Sequence, residues 1–206
     1  MLFVERLILG ELSTNCYIAY CEKTEEALII DPADSGDAIT DRLLQLHLHP
    51  TAVVLTHGHF DHLLGLLELR LNFDVPILMH RADMFLLHRA KNSAEHWIHR
   101  QIDPVPVPDE FIGNGYEFSL GLNQLKVMET PGHTPGGLCF YNEYMVFTGD
   151  TLFQGSVGRT NLKYANPLKL SESLQQLFAL PPDTIVFPGH GESTTIGAEK
   201  HLQQVH

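Results

Sequence analysis

The sequence contains few cysteines and lacks any long apolar run. Its three cysteines, Cys16, Cys21 and Cys139, show no spacing pattern, which excludes a disulfide framework. No segment approaches the roughly 18 consecutive apolar residues of a membrane-spanning helix. The first apolar run carries Glu5 and Arg6, so it predicts a strand rather than a secretory signal. These absences predict a soluble, cytoplasmic protein without a membrane partner.

Basic residues are also scarce. Lys and Arg number 13 against 25 Asp and Glu, which gives a formal net charge of -12 with histidine neutral. An acidic balance of this size disfavours nucleic acid and anionic membranes as partners. Linker-like and low-complexity stretches are absent as well, and 206 residues with 44% hydrophobic content favour a single domain over 1–206. No feature of the sequence indicates an oligomeric state.

Metal-binding side chains are concentrated in one short stretch. His57, His59, Asp61 and His62 follow closely after the apolar run 52–55. Imidazole nitrogens mixed with carboxylate oxygens suit zinc and other borderline metals. His57 and His59 project the same way from an extended strand end, whereas Asp61 and His62 begin a helical segment and can face a second point. The stretch can therefore supply ligands to two metal ions.

Three further candidate ligands stand at the ends of predicted strands. His133, Asp150 and His190 each follow a β-rich run that ends in a Gly or Pro turn. Loops at strand ends are where a rigid scaffold displays catalytic groups. Together with the first stretch they make a set of seven candidate ligands.

The spacing of this set resembles the metallo-β-lactamase superfamily, over nearly the whole chain from Asn15 to His190. The resemblance implies the αββα four-layer sandwich of that family, whereas local periodicity alone supports an α/β or α+β domain. It also implies two metal sites and a carboxylate shared between them. One metal would be held by His57, His59 and His133, the other by Asp61, His62 and His190, with Asp150 as the bridge.

Asp150 further narrows the resemblance, because the antibiotic-degrading lactamases place a cysteine at this position. The run 149–161 is similar to short bacterial glyoxalase II-like proteins, which are hydroxyacylglutathione hydrolase-like. This similarity implies that Arg159 meets the carboxylates of glutathione through bidentate hydrogen bonds; a structural arginine in a turn is the alternative. Asn161 replaces an aromatic residue of the longer glyoxalase II enzymes.

Asp31, at the end of a strand, is a candidate for a supporting role. The family resemblance implies that it orients metal ligands without touching metal. The alternative is a turn-forming aspartate before Pro32.

The resemblance implies a hydrolase that uses two divalent metal ions, first of all zinc, with iron and manganese as alternatives. A hydroxide bridging the metals would attack the carbonyl of a small-molecule thioester, either S-D-lactoylglutathione or a related hydroxyacyl thioester. Asp61 would also steer the proton. The first alternative is a persulfide dioxygenase that holds a single iron through His57, His133 and Asp150. The second is a non-catalytic metal-binding domain.

Hydrophobic periodicity and turn residues predict the order of the elements. The strands are predicted at 1–9, 15–21, 27–30, 52–55, 75–79, 124–128, 138–141, 145–147 and 184–187, the second and third forming a hairpin. The helices are predicted at 36–48, 63–71, 81–90, 167–180 and 194–204. Prolines 104, 106 and 108 make helix unfavourable within 91–113. That segment is predicted to be either a loop over the mouth of the site or a plain surface connection.

Overall fold

The computed structural model of the protein, which describes residues 2–203, contains two six-stranded sheets packed face to face. Successive side chains of a strand point to opposite faces of its sheet. Apolar side chains on both faces therefore allow one face to pack against the other sheet and the opposite face to pack under helices. On the second strand, Cys16 and Ile18 pack under helices, whereas Tyr17 and Ala19 pack against the other sheet. A third apolar cluster, which includes Val146 and Leu174, lies beneath the helices of the opposite outer face. The αββα sandwich is confirmed.

The first sheet combines an antiparallel half with a parallel half. Its strands are β1 Leu2–Leu9, β2 Thr14–Cys21, β3 Glu26–Ile30, β4 His49–Val54, β5 Ile77–Met79 and β6 Glu110–Phe111. They lie in sequence order. The predicted hairpin between β2 and β3 is confirmed as an antiparallel pair, and β3, β4, β5 and β6 run parallel.

The second sheet consists of β7 Glu117–Leu120, β8 Asn123–Glu129, β9 Leu138–Tyr141, β10 Met145–Gly149, β13 Ile185–Pro188 and β14 Thr194–Thr195. These strands lie in the order β14-β13-β10-β9-β8-β7. A small separate hairpin is formed by β11 Leu152–Phe153 and β12 Ser156–Val157. Because β10 and β13 are parallel, their carboxyl ends meet at the same edge of the sheet.

Six α-helices cover the sheets in the described residues 2–203. They are α1 Gly36–Gln45, α2 Leu66–Asn72, α3 Met84–Leu87, α4 Ala90–Ile98, α5 Pro167–Leu177 and α6 Ile196–Gln203. Local capping residues fix where α5 begins. The side chain of Asn166 accepts hydrogen bonds from the backbone amides of Leu168 and Lys169, and Pro167 occupies the first turn. Within these residues no helix combines the length and apolarity needed to cross a membrane.

Several predicted boundaries are wrong by a few residues, and the prediction that the whole segment 91–113 is irregular is wrong. The helix predicted at 81–90 breaks into a 3-10 turn Arg81–Asp83 followed by α3. The segment 91–113, predicted to be irregular, begins with most of α4 and contains β6 near its end. The buried side of α4 consists of Ala90 and Ala94 alone, which is too small an apolar stripe to stand out in the sequence. Predicted residues 1 and 204 lie outside the described chain.

The two halves of segment 91–113 lie on different surfaces. On α4, Ser93 and Trp97 line the mouth of the site described below. The proline-containing part instead packs beside α2, where Ile102 and Val105 contact the apolar layer under the helices. The helical part therefore borders the site, and the irregular part is a surface connection.

Candidate metal centre

All seven predicted ligands meet at one edge of the sandwich. His57 follows β4, His133 follows β8, Asp150 follows β10 and His190 follows β13. Asp61 and His62 belong to a short 3-10 turn, Phe60–His62. Carboxyl ends of strands gather side chains at one edge in this way. The structure thus brings together residues that are up to 133 positions apart in the sequence.

The first group of donor atoms consists of three histidine nitrogens and one carboxylate oxygen. Nδ1 of His59 lies 2.9 Å from Nε2 of His57 and 3.1 Å from Nε2 of His133. Oδ2 of Asp150 lies 3.4 Å from Nε2 of His133. The four donor atoms all lie within 4.8 Å of one another. A mixed nitrogen and oxygen set of this kind suits a four-ligand site for a metal such as zinc or iron.

The second group lies beside the first. Oδ2 of Asp61 is 3.3 Å from Nε2 of His190 and 3.6 Å from Nε2 of His62. The other oxygen of Asp150, Oδ1, is 3.4 Å from Nε2 of His62. Asp150 therefore divides its two oxygens, Oδ2 facing the first group and Oδ1 facing the second. A carboxylate that bridges two metal ions requires this division.

Glycine is needed immediately before Asp150. Gly149 has a positive φ of 48°, and a Cβ there would lie 2.3 Å from Oγ1 of Thr56. The close approach of the two strand ends therefore depends on the missing side chain. This approach places Asp150 between the two ligand groups.

Hydrogen bonds on the far side of the rings fix two of the histidines. Nδ1 of His133 lies 2.9 Å from the carbonyl oxygen of Arg159, and Nδ1 of His190 lies 3.2 Å from that of Leu12. A carbonyl can only accept, so each Nδ1 carries the proton and donates it. Each Nε2 is left with a lone pair directed at the centre, which is the form that binds metal.

Asp31 orients two more ligands and is itself 2% exposed. Its Oδ2 accepts from Nδ1 of His62 at 2.9 Å and from Oγ1 of Thr56 at 2.6 Å. Because the Thr56 hydroxyl donates to Asp31, it is free to accept from Nδ1 of His57, 3.0 Å away. The structure therefore places Asp31 behind the ligands and away from the centre. The positive φ of 50° at Asp31 marks it as a turn residue as well.

Two buried polar atoms show that the site fits a metal ion. Nε2 of His62 and Oδ1 of Asp150 have no hydrogen-bond partner in the part of the chain that the structure describes. An unpaired buried polar atom is costly. Gly189 leaves room beside them, because a Cβ there would lie 2.4 Å from Oδ1 of Asp150. A cation bound between these atoms would satisfy both.

The electrostatics of the centre favour a cation over protons on the imidazoles of the first group. Burial lowers the pKa of His57 well below its ordinary value and that of His59 to about 3. Burial acts to raise the pKa of Asp150, but neighbouring His62 and further imidazoles hold it well below its ordinary value. Burial likewise acts to lower the pKa of His62, yet Asp61 and two other carboxylates hold it well above the ordinary value. Positive charge is therefore favoured where the carboxylates converge.

Asp83 also supports the centre, although it was not among the candidates from the sequence. It is fully buried, and its Oδ2 and Oδ1 accept from the backbone amides of Gly58 and Gly136 at 3.0 and 2.7 Å. Gly58 lies between His57 and His59, and Gly136 belongs to the loop of His133. One carboxylate thus ties together the two loops that carry the first ligand group. Burial raises the pKa of Asp83, and these hydrogen bonds oppose that effect.

We expect Asp83→Asn to loosen the first ligand group. An amide has only one oxygen, so its NH₂ would face a backbone donor, and we expect unfolding of the metal-free protein to become easier by about 1–3 kcal/mol. We expect metal affinity to fall by about tenfold. Urea unfolding and chelator competition measure the two effects, with Asp103→Asn, an exposed aspartate on the surface connection, as the control. Unchanged values for both would refute this role.

A cavity of about 430 Å³ opens over the centre. Asp61, Asp150 and His190 form part of its floor, and Arg159 lies on its wall. The Arg159 guanidinium carbon lies 5.4 Å from the ring centroid of Trp97 on α4, close enough for a cation–π contact. Other lining residues are Leu12, Gly58, His59, Phe60, Leu86, Ser93, Leu162 and Tyr164.

The four-layer fold and the paired ligand groups define the class of protein. It has a hydrolase fold whose centre of His and Asp side chains can hold metal. The family model described as the metallo-beta-lactamase superfamily matches residues 9–190, and the chain belongs to this superfamily.

Similar proteins are found among curated sequences and solved structures. Hydroxyacylglutathione hydrolase GloC of Haemophilus influenzae (strain ATCC 51907 / DSM 11121 / KW20 / Rd) is 32% identical, with 96% of this chain and 94% of that protein covered. The crystal structure of BLEG-1 B3 metallo-beta-lactamase has a TM-score of 0.89 at 34% identity and covers 97% of both chains. TTHA1623 in a di-iron-bound form has a TM-score of 0.87 at 37% identity, with 96% of this chain and 98% of that chain covered.

Proposed function

We propose that the protein is a binuclear thioester hydrolase of the glyoxalase II type. Its substrate is S-D-lactoylglutathione or a related hydroxyacyl thioester. The observation that carries the proposal is the division of the Asp150 carboxylate between two ligand groups, with Oδ2 3.4 Å from His133 and Oδ1 3.4 Å from His62. A site for a single metal would not need the complete second group of Asp61, His62 and His190.

Two of the similar proteins support parts of this proposal. The similarity to hydroxyacylglutathione hydrolase GloC, over nearly the full length of both chains, supports the thioester substrate. TTHA1623, observed in a di-iron-bound form, supports a centre that holds two metals. We propose two zinc ions first, because imidazole and carboxylate ligands suit zinc, with iron or manganese as alternatives in the same ligand set.

In the proposed reaction, Asp61 handles the proton, and the metal ligands hold the ions that activate water. When bound, two divalent ions supply a water of lowered pKa and polarise a carbonyl oxygen. Asp61, which accepts a hydrogen bond from the Thr14 hydroxyl at 3.2 Å, is oriented to hold a proton as the carbonyl is attacked. A thiolate is a good leaving group, so its departure needs little help from an acid. No serine or cysteine nucleophile is required.

Arg159 is proposed to bind the carboxylates of the glutathione part of the substrate. Its side chain is exposed on the cavity wall and rests over Trp97. The planar guanidinium can form bidentate hydrogen bonds with a carboxylate. The protein carries a formal net charge of -12, so a local cation beside the metals gives an anionic substrate a favourable approach.

We expect Arg159→Ala to raise KM for S-D-lactoylglutathione about tenfold while changing kcat little, because Arg159 would contact the substrate equally in the bound ground state and in the transition state. His133 keeps its hydrogen bond, since the backbone carbonyl of Arg159 accepts it. Steady-state kinetics test this, with Arg81→Ala as the control: Arg81 stacks on Phe111 and does not line the cavity. An unchanged KM would remove Arg159 from substrate binding.

A second candidate, β-lactam hydrolysis, is favoured by the similarity to BLEG-1 B3 metallo-beta-lactamase. One metal-loaded preparation separates the candidates when given S-D-lactoylglutathione, a cephalosporin, and glutathione persulfide with dissolved oxygen. We expect rapid thiol release from the first and little turnover of the others. Faster β-lactam opening would favour the lactamase, oxygen consumption would favour the persulfide dioxygenase, and turnover of none would favour a non-catalytic metal-binding domain.

A further inference from the structure

Tyr164 connects the metal centre to the cavity. It lies shortly before α5, and its hydroxyl oxygen is 2.7 Å from Nε2 of His59. Its ring packs edge-on against Phe85, with centroids 5.2 Å apart. The same residue lines the cavity together with Arg159. Tyr164 was not among the candidates from the sequence.

The direction of the hydrogen bond follows from the other face of the His59 ring. Nδ1 of His59 faces Nε2 of both His57 and His133, so it must offer a lone pair if the group is to hold metal. A neutral imidazole then carries its proton on Nε2. That N–H donates to the Tyr164 oxygen, as Nδ1 of His133 donates to a carbonyl on its own far side.

The hydroxyl proton of Tyr164 is therefore left to donate elsewhere. Within residues 2–203 the His59 ring is the one hydrogen-bond partner of this hydroxyl. A phenol keeps its proton at neutral pH, and a donor without a partner favours an acceptor in the adjoining space. The adjoining space is the cavity over Asp61 and Asp150.

We propose that Tyr164 acts at two points at once, as a positioning residue for His59 and as a hydrogen-bond donor to an oxygen of the bound substrate. The first role depends on the centre alone. The second rests on the proposed function, because it needs a substrate with an oxygen acceptor above the metals. Hydroxyacyl thioesters provide such oxygens in the carbonyl and the hydroxyl of the acyl group.

Tyr164→Phe removes the hydroxyl and preserves the ring that packs on Phe85. Chelator competition on the full-length protein should show about tenfold weaker zinc binding, the lower end of the loss known for partners of metal-bound histidines. The visible spectrum of the cobalt-substituted protein should also change, because the His59 ring is no longer held. Tyr144→Phe is the matched control, since Tyr144 is 66% exposed and does not line this cavity.

The melting temperature of each metal-free variant shows whether it is folded. Unchanged zinc affinity and cobalt spectrum in folded Tyr164→Phe would overturn the positioning role. With metal saturating, kcat/KM for S-D-lactoylglutathione should fall about tenfold in Tyr164→Phe and stay constant in Tyr144→Phe; an equal value would overturn the substrate contact. If the unmodified protein hydrolyses no thioester, the proposed function and the substrate contact both fail, while the zinc and cobalt measurements still decide the role at His59.

Discussion

We expect Asp150→Ala to lose most of the metal bound by the proposed two-metal centre, and almost all of the proposed thioesterase activity. The substitution removes one oxygen from each ligand group, Oδ2 from the side of His133 and Oδ1 from the side of His62. The remaining histidines and Asp61 then face each other without the shared negative charge. We expect metal content after dialysis to fall from about two ions per chain to below one, and thiol release to fall by at least about 100-fold, beyond the loss caused by removing an outer partner.

Metal analysis and steady-state kinetics on the same preparation measure this effect. Asp183→Ala is the control, because Asp183 is an exposed aspartate outside both ligand groups. An Asp150→Ala protein that kept two metals and full turnover would contradict the bridging role. Loss of one metal with full retention of the other would show that Asp150 belongs to a single site.

We expect removal of metal from the proposed centre to destabilise the folded protein. Oδ2 of Asp61 and Oδ1 of Asp150 both face Nε2 of His62, at 3.6 and 3.4 Å, and Oδ1 of Asp150 is buried without a hydrogen-bond partner in the described chain. Metal present at 1,000 times its dissociation constant stabilises the folded state by about 4 kcal/mol. For a chain of this size that corresponds to a melting temperature higher by roughly 10 °C.

Thermal unfolding with and without a strong chelator measures this difference. Asp150→Ala is the natural control, since its melting temperature should respond little to the chelator. Re-addition of zinc to the chelated protein should restore the original value. A melting temperature that did not change on complete removal of metal would mean that metal binding does not stabilise the folded protein.

The ligands could be predicted from the sequence because their signals are local. His57, His59, Asp61 and His62 form one dense stretch, and His133, Asp150 and His190 stand in turns after apolar runs. Strand alternation and turn residues likewise located most of the sheet. Strand order and the four-layer arrangement came from family resemblance, because local periodicity does not encode which strands pair.

The residues that were missed act through distant contacts. Asp83 accepts hydrogen bonds from amides that are 25 and 53 residues away, and no local pattern marks a carboxylate for that role. Tyr164 resembles any other half-buried tyrosine until the fold brings it to His59, 105 residues away.

Two elements of the fold were also missed. The buried side of α4 consists of two alanines, so its amphipathic pattern is weak in the sequence. The short strand β7 was not predicted, although Phe118 and Leu120 alternate with polar residues.

Thiol release from S-D-lactoylglutathione, measured on a sample of known metal content, tests the central claim most directly. We predict rapid release by protein that holds about two metal ions per chain. Absence of release from a sample with both metals bound would contradict the thioesterase assignment. Absence of release from a sample that holds one iron and consumes oxygen with a persulfide would replace it by the dioxygenase.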